Sequence, residues 1–124
     1  MTLSNDAAAA AVHRYLALVA SGTSAEIAAL YAEDATLEDP VGSAAVVGRE
    51  AIEAFYATIE DLAMTTALHT IRTCAGEAAF HFRVETDTGA GVATMEPLEV
   101  MTFSEDGLIT SMRAWWSDAD LSFA

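Results

Sequence analysis

The sequence predicts an α+β domain, helices first and an antiparallel meander after them, and two observations carry that reading. Apolar residues recur at helical spacing through the first half of the chain and alternate one in two through the second half. A chain of 124 residues holds one core and is too short for two, so a single domain over 1–124 is expected, with three helices covering one face of a curved, mainly antiparallel sheet.

The first helix is expected from about Ala7 to Ala20, capped by Asn5 or Asp6. Val12, Tyr15, Leu16 and Val19 fall on one stripe of it, and Ser21-Gly22 closes it. Thr23 and Glu26 have the spacing of a capping box that opens a short second helix, with Ile27, Leu30 and Tyr31 on one face and an end near Ala32. Ala35 to Asp39 is expected to be extended, because Pro40 disfavours helical angles at the residue before it. After a loop marked by Gly42 and Gly48, Arg49 to Ile59 is the third helix, its stripe made by Ile52, Phe55, Tyr56 and Ile59.

Strands follow. Met64 to Ala75 closes at Gly76-Glu77, and Ala78 to Thr86 sets Phe80, Phe82 and Val84 against His81, Arg83 and Glu85, one dry face and one wetter. Asp87 to Gly91 is a turn. Val92 to Phe103 and Leu108 to Ser117 form the last two strands, joined through a Ser-Glu-Asp-Gly connection.

Composition narrows the partners. Five Lys and Arg face nineteen Asp and Glu, a formal charge of -14, and such a field repels phosphate backbones and anionic lipid heads, so neither nucleic acid nor a membrane surface is expected. No run approaches the length of a membrane-spanning helix, and the first residues have no basic segment ahead of an apolar one, so neither a targeting peptide nor a membrane anchor is expected. The single cysteine, Cys74, is expected as a small core residue and fits a reducing, cytoplasmic setting. No Cys or His cluster stands at metal-ligand spacing, so no metal site is expected. Hydrophobic residues make up 53% of the chain and mean hydropathy is +0.32, more apolar surface than one core absorbs; a lined cavity or a subunit interface takes up such an excess.

Three sets of residues stand out against that background. Glu99 shares a strand face with Met95, Pro97, Met101 and Phe103, where an unpaired carboxyl would be desolvated into its neutral form and become a hydrogen-bond donor; a solvated sheet edge or an arginine partner is the plainer alternative. All three tyrosines, Tyr15, Tyr31 and Tyr56, lie on helical apolar stripes, either as ordinary core packing or as a chain of hydrogen-bonded phenols. In ATLEDPVGS, Asp39 lies between Leu37 and Val41 and is held extended by Pro40. It suits a general base with a modestly raised pKa and equally a turn acid, whereas Glu38 points the opposite way, to solvent. Trp115 and Trp116 alternate faces, so one of them joins Met112 and Ala114 in the interior. His13, His69 and His81 fall on wetter positions and read as surface or structural residues.

Together these residues resemble the bacterial Δ5-3-ketosteroid isomerases, of the superfamily shaped like nuclear transport factor two. ALYAEDATLEDPVGS is the most specific stretch, VHRYLALVASG resembles the opening helix, GREAIEAFY the third helix and ITSMRAWWSD the final strand. The resemblance implies a cone-shaped sheet whose concave face the helices cover. It also implies Asp39 as base, Tyr15 as oxyanion donor, Tyr56 and Tyr31 as its support, and Met112 and Trp116 as steroid contacts. One departure matters: the second oxyanion donor, a protonated aspartic acid in that family, falls on Glu99, and the extra methylene moves the carboxyl by about one bond length in a site that depends on donor placement. That such a carboxylic acid stays neutral in an apolar site is a known property of that family. The implied reaction moves a proton of a β,γ-unsaturated 3-ketosteroid from C4 to C6, giving the conjugated isomer without metal or organic cofactor, in a homodimer formed through the outer face of the sheet. The rivals are a polyketide-cyclase-like enzyme or epoxide hydrolase of the same fold, and a non-catalytic module that binds an apolar ligand. The five arginines do not stand beside the candidate acids, as an Asp-Arg-Asp water site would ask.

Overall fold

The computed structural model describes residues 1–124 as three helices and one eight-stranded sheet. Helix α1 (Asn5–Ser21) is capped by Ser4, whose side chain accepts the Ala7 N–H, one residue before the expected cap. Its buried stripe is Ala8, Ala11, Val12, Tyr15 and Leu16. The capping box between Thr23 and Glu26 opens α2 (Ser24–Ala28), which stops four residues short of the expected end. The reason lies in the next strand: β1 (Tyr31–Glu38) starts at once, and pairing of Tyr31 with Ile109 takes that tyrosine off the helix and into the sheet.

A two-residue strand, β2 (Val46–Val47), pairs with β1 inside the segment expected as loop. Helix α3 (Arg49–Ala57) buries Ile52 and Tyr56, and ends two residues before the expected Ile59. Gly48 precedes it at φ 91°, a left-handed angle that a residue with a Cβ resists, and the Gly48 N–H is bonded to the Ala35 carbonyl.

The strands β3 (Ala63–Cys74) and β4 (Glu77–Asp87) form a long hairpin whose register shifts between Leu68 and Thr70, a bulge of the kind that bends a sheet. β4 is central, pairing with β6 (Leu98–Phe103) along its first half and β5 (Val92–Met95) along its second. The expected continuous strand Val92 to Phe103 is therefore two strands, broken at Glu96-Pro97, where proline has no N–H to offer the ladder. β7 (Ile109–Trp115) pairs antiparallel with β6 and parallel with β1, the one parallel contact in the sheet. A short 3₁₀ turn then leads into β8 (Leu121–Phe123), which lies beside β5; three residues carry too little periodicity to be read from sequence.

The core between helices and sheet is continuous, with Val12, Ile27, Ile52, Phe80, Met101 and Ile109 among its fully buried members. Cys74 is exposed at the end of β3, not in the core. No helix is long and apolar enough to cross a membrane. Truncating Ile52 to alanine removes packing between α3 and the sheet and is expected to cost about 2–5 kcal/mol in a chemical denaturation experiment.

Candidate active site

One apolar cavity of about 240 Å³ opens between α1, α3 and the sheet, with twelve hydrophobic residues among the sixteen that line it. Val19 and Phe55 come from the helices, and Phe82, Val84, Met95 and Pro97 from the sheet. Most of the polar groups gather at one end, where Tyr15, Tyr56, Asp39, Glu99 and Trp116 line the cavity.

Each is placed by its element. Tyr15 lies on the buried stripe of α1 and its ring meets Phe80 edge to face, with centroids 6.4 Å apart. The Tyr56 hydroxyl lies between two others, 3.3 Å from that of Tyr15 and 2.7 Å from that of Tyr31, so the three phenols form one hydrogen-bonded chain inside the core. Tyr31 contributes from a strand, not from a helix stripe. Arg49, which the sequence does not single out, holds that strand: its Nε and Nη2 both donate to the Tyr31 carbonyl, at 2.9 and 2.7 Å. An arginine in the first turn of a helix meets the wrong end of the helix dipole, a local conflict that its contact explains.

Asp39 follows the last residue of β1. The Asp39-Pro40 peptide is cis, and the Val41 N–H bonds the Ala114 carbonyl, so the loop is pinned to β7 beside the cavity. Trp116 Nε1 donates to Asp39 Oδ1 at 2.6 Å. Of the two tryptophans it is Trp116 that turns inward, while Trp115 stays on the outer face under the Arg113 guanidinium. Glu38 points away from the cavity and faces Arg113 at 3.5 Å, a half-exposed pair.

Glu99 is 4% exposed, faces Phe80 across the β4–β6 pair, and its Oε1 is buried with no hydrogen-bond partner. Neither a solvated edge nor an arginine accounts for it. Burial holds its carboxyl protonated well above the usual carboxylate range, the nearby Asp39 carboxylate adds to that, and the Tyr15 hydroxyl offsets a part. Burial also raises Asp39, which the Trp116 N–H in turn holds down. Asp39 keeps partial access to solvent as well as the indole donor on its oxygen; Glu99 is shut off from solvent with one oxygen unpaired, so Glu99 is the member of the pair that retains its proton. Burial likewise keeps the three phenols protonated, Tyr15 further raised by Glu99.

The structure thus gathers Asp39, Tyr15, Glu99, Tyr56 and Trp116 on one cavity, with Tyr31 behind Tyr56. Met112 does not join them: it is 1% exposed within the core, paired with Leu37 and Met101, and does not line the cavity. His69 and His81 stack on the opposite face of the sheet, where His69 meets Glu96, and His13 is exposed on α1.

A curved sheet closed by three helices round one apolar cavity, with a carboxyl pair and a phenol chain at one end, defines the class, and with residues 12–112 matching the SnoaL-like domain the chain belongs to that family, within the nuclear transport factor two-like superfamily. Among curated relatives it is 56% identical over 112 residues to the Steroid Delta-isomerase of Nocardioides simplex, covering 90% of this chain and 91% of that one. Two solved structures share the architecture. The RV0760c protein of Mycobacterium tuberculosis superposes with a TM-score of 0.88 at 22% identity, covering 99% of this chain and 100% of that one. SalBIII, an epoxide hydrolase/cyclase-like enzyme with a role in pyran ring formation in the polyether salinomycin, superposes at 0.83 with 25% identity, covering 94% and 95%.

The buried carboxyl makes a prediction about stability. The pKa of Glu99 is raised on folding, so the folded chain holds a proton that the unfolded chain releases, and stability falls as pH rises above about 4.3 toward the folded value. Glu99→Gln lacks that dependence. Its melting temperature relative to wild type should rise between pH about 4 and pH about 8; a constant difference would contradict a raised pKa.

Proposed function

We propose that this chain is a steroid Δ-isomerase, which converts a β,γ-unsaturated 3-ketosteroid to its conjugated isomer by carrying one proton from C4 to C6. The observation that carries the reading is the pairing, on one apolar cavity, of a partly solvated Asp39 with a buried Glu99, one of whose oxygens is unpaired, and the end of a phenol chain. The relative 56% identical over most of the chain, itself named a steroid Δ-isomerase, supports the same activity.

Asp39, ionised, accepts the C4 proton and returns it at C6. The C4–H bonding pair becomes the C3–C4 π bond and the carbonyl π pair moves onto the C3 oxygen, giving a dienolate in which C5–C6 is still double. The oxygen pair then restores the carbonyl, the C3–C4 π pair shifts to C4–C5, and the C5–C6 π pair takes the proton at C6. Charge on that oxygen needs donors that are already in place and shielded from water. The neutral Glu99 carboxyl supplies one. Tyr15 supplies the other if the chain of hydroxyls runs one way: Tyr31 donates to Tyr56, Tyr56 donates to Tyr15, and the Tyr15 hydrogen is left for the cavity. Each bond then polarises the next, which strengthens the terminal donor. Arg49 is a positioning residue in this account, since it holds the carbonyl of Tyr31 and with it the start of the chain. Trp116 forms a wall of the cavity and holds Asp39 by its indole N–H.

A homodimer through the outer face of the sheet belongs to the same proposal. On that face Leu98 (53% exposed) lies directly across from Trp115 (40% exposed), an apolar pair that stays partly open in the monomer although the Arg113 guanidinium rests over the indole. Sedimentation of wild type and Leu98→Glu would read it, with a shift of the variant toward monomer expected. Cytoplasmic residence, suggested by a single unpaired cysteine, completes the reading.

The direct test is turnover. With 5-androstene-3,17-dione, a rise in conjugated-enone absorbance above the buffer rate is expected, and its absence would leave only a binding protein. Asp39→Asn should lose about 10²- to 10⁴-fold in kcat for want of a base. Tyr15→Phe should lose about 10²- to 10³-fold by removing one oxyanion donor, and Glu99→Gln, which keeps a donor, should lose far less than Asp39→Asn.

The acid side of the pH profile adds a separate check. Because the Trp116 N–H stabilises the Asp39 carboxylate, Trp116→Phe should move the acid limb of kcat/KM to higher pH. An unmoved limb would mean that Asp39 is not the titrating base.

A further inference from the structure

At the end of the cavity away from the carboxyl pair, one residue breaks the apolar lining. On β4, Phe80, Phe82, Val84 and Thr86 share a face; Phe80 lies opposite Glu99, Val84 opposite Met95, and Thr86 lies between Met64 of β3 and Ala93 of β5. Met64, Thr86, Ala93 and Leu121 all line the cavity, so Thr86 puts a hydroxyl into a wall otherwise built from apolar side chains. Thr66 donates to the Leu16 carbonyl and Thr88 to that of Gly91, while Thr65 and Thr94 stand opposite Glu85 on the other face of the sheet, away from the cavity. The Thr86 hydroxyl, only partly exposed, bonds nothing in the chain and has only water to satisfy it.

A ligand that fills the cavity takes that water away. The hydroxyl then needs an acceptor or donor on the ligand, or its desolvation counts against binding. Thr86 lies six residue steps beyond Phe80, about 20 Å along the strand before the sheet's curvature shortens it. The Glu99 side chain and a hydrogen bond at each end take up part of that length. What is left suits a rigid, flat molecule with one oxygen at each end.

We infer that Thr86 is a specificity residue: its hydroxyl hydrogen-bonds an oxygen at the end of the ligand remote from the enolising carbonyl, so the site selects 3-ketosteroids that carry a ketone or hydroxyl at C17 over those that are bare there. The inference rests on the isomerase reading for the orientation of the ligand. A site built to meet a polar group rejects the analogue that lacks it, because its own group is left unpaired.

The test compares two ligands that differ only at C17. Affinities for 4-androstene-3,17-dione and 4-androsten-3-one, read by quenching of tryptophan fluorescence, and kcat/KM for the two Δ5 counterparts are measured in wild type, Thr86→Val and Thr86→Ser. Wild type should favour the 17-oxygenated ligand by roughly 3- to 10-fold, chiefly through Kd and KM. Thr86→Val, the same shape without the hydroxyl, should bring that ratio to near unity, and Thr86→Ser should restore it. A wild type that treats the two ligands alike, or a Thr86→Val that keeps the preference, would overturn the assignment. Because binding is read independently of turnover, selective binding without isomerisation would sink the isomerase reading and leave Thr86 in its role. Turnover with no selectivity would do the reverse.

Discussion

Two carboxyl groups on one apolar cavity cannot both be charged without heavy cost, and the chain resolves this by giving them unequal surroundings. Asp39 stands at a strand end with partial solvent access and an indole N–H on its oxygen. Glu99 stands mid-strand, buried, with one oxygen unpaired. The first can hold a negative charge and the second holds a proton, and in the proposed reaction that asymmetry gives the cavity a base at one position and a donor at another. The surrounding structure serves it. The Val41 bond to Ala114 keeps Asp39 beside Trp116, and the β4–β6 pairing sets Glu99 against Phe80.

The phenol chain meets the same constraint from the other side. A lone tyrosine hydroxyl aimed at a developing oxyanion would also be buried and unsatisfied between turnovers. Here it is backed by two more hydroxyls and by the clamp of Arg49 on Tyr31. Three elements, α1, α3 and β1, each contribute one phenol, so the geometry of the donor is tied to the packing of the whole helical layer. Glu99 has one more torsion to hold in place than an aspartate at position 99 would have.

Much of this is legible in the sequence where local pattern and tertiary role agree. The stripe of α1, the capping box of α2 and the alternation of β4 each follow from spacing alone. Where they disagree, long-range pairing wins: Tyr31 fits a helical stripe with Ile27 but is taken by the parallel contact with β7, and Pro97 splits what alternation would continue. Met112 shares parity with Trp116, yet β7 passes behind the core before it reaches the cavity, so one is packed and the other lines the site. Arg49 and Thr86 escape because nothing local marks them. One acts through a carbonyl eighteen residues away, and the other matters only by being the exception on an apolar wall.

The central claim is that Glu99 is a neutral acid at the pH where Asp39 is charged. Infrared difference spectra of the chain labelled with isotopic glutamate read it directly, since a protonated carboxyl has a carbonyl stretch that a carboxylate lacks. At neutral pH one protonated glutamate band is expected in wild type and none in Glu99→Gln; a spectrum with carboxylate bands alone would contradict the account.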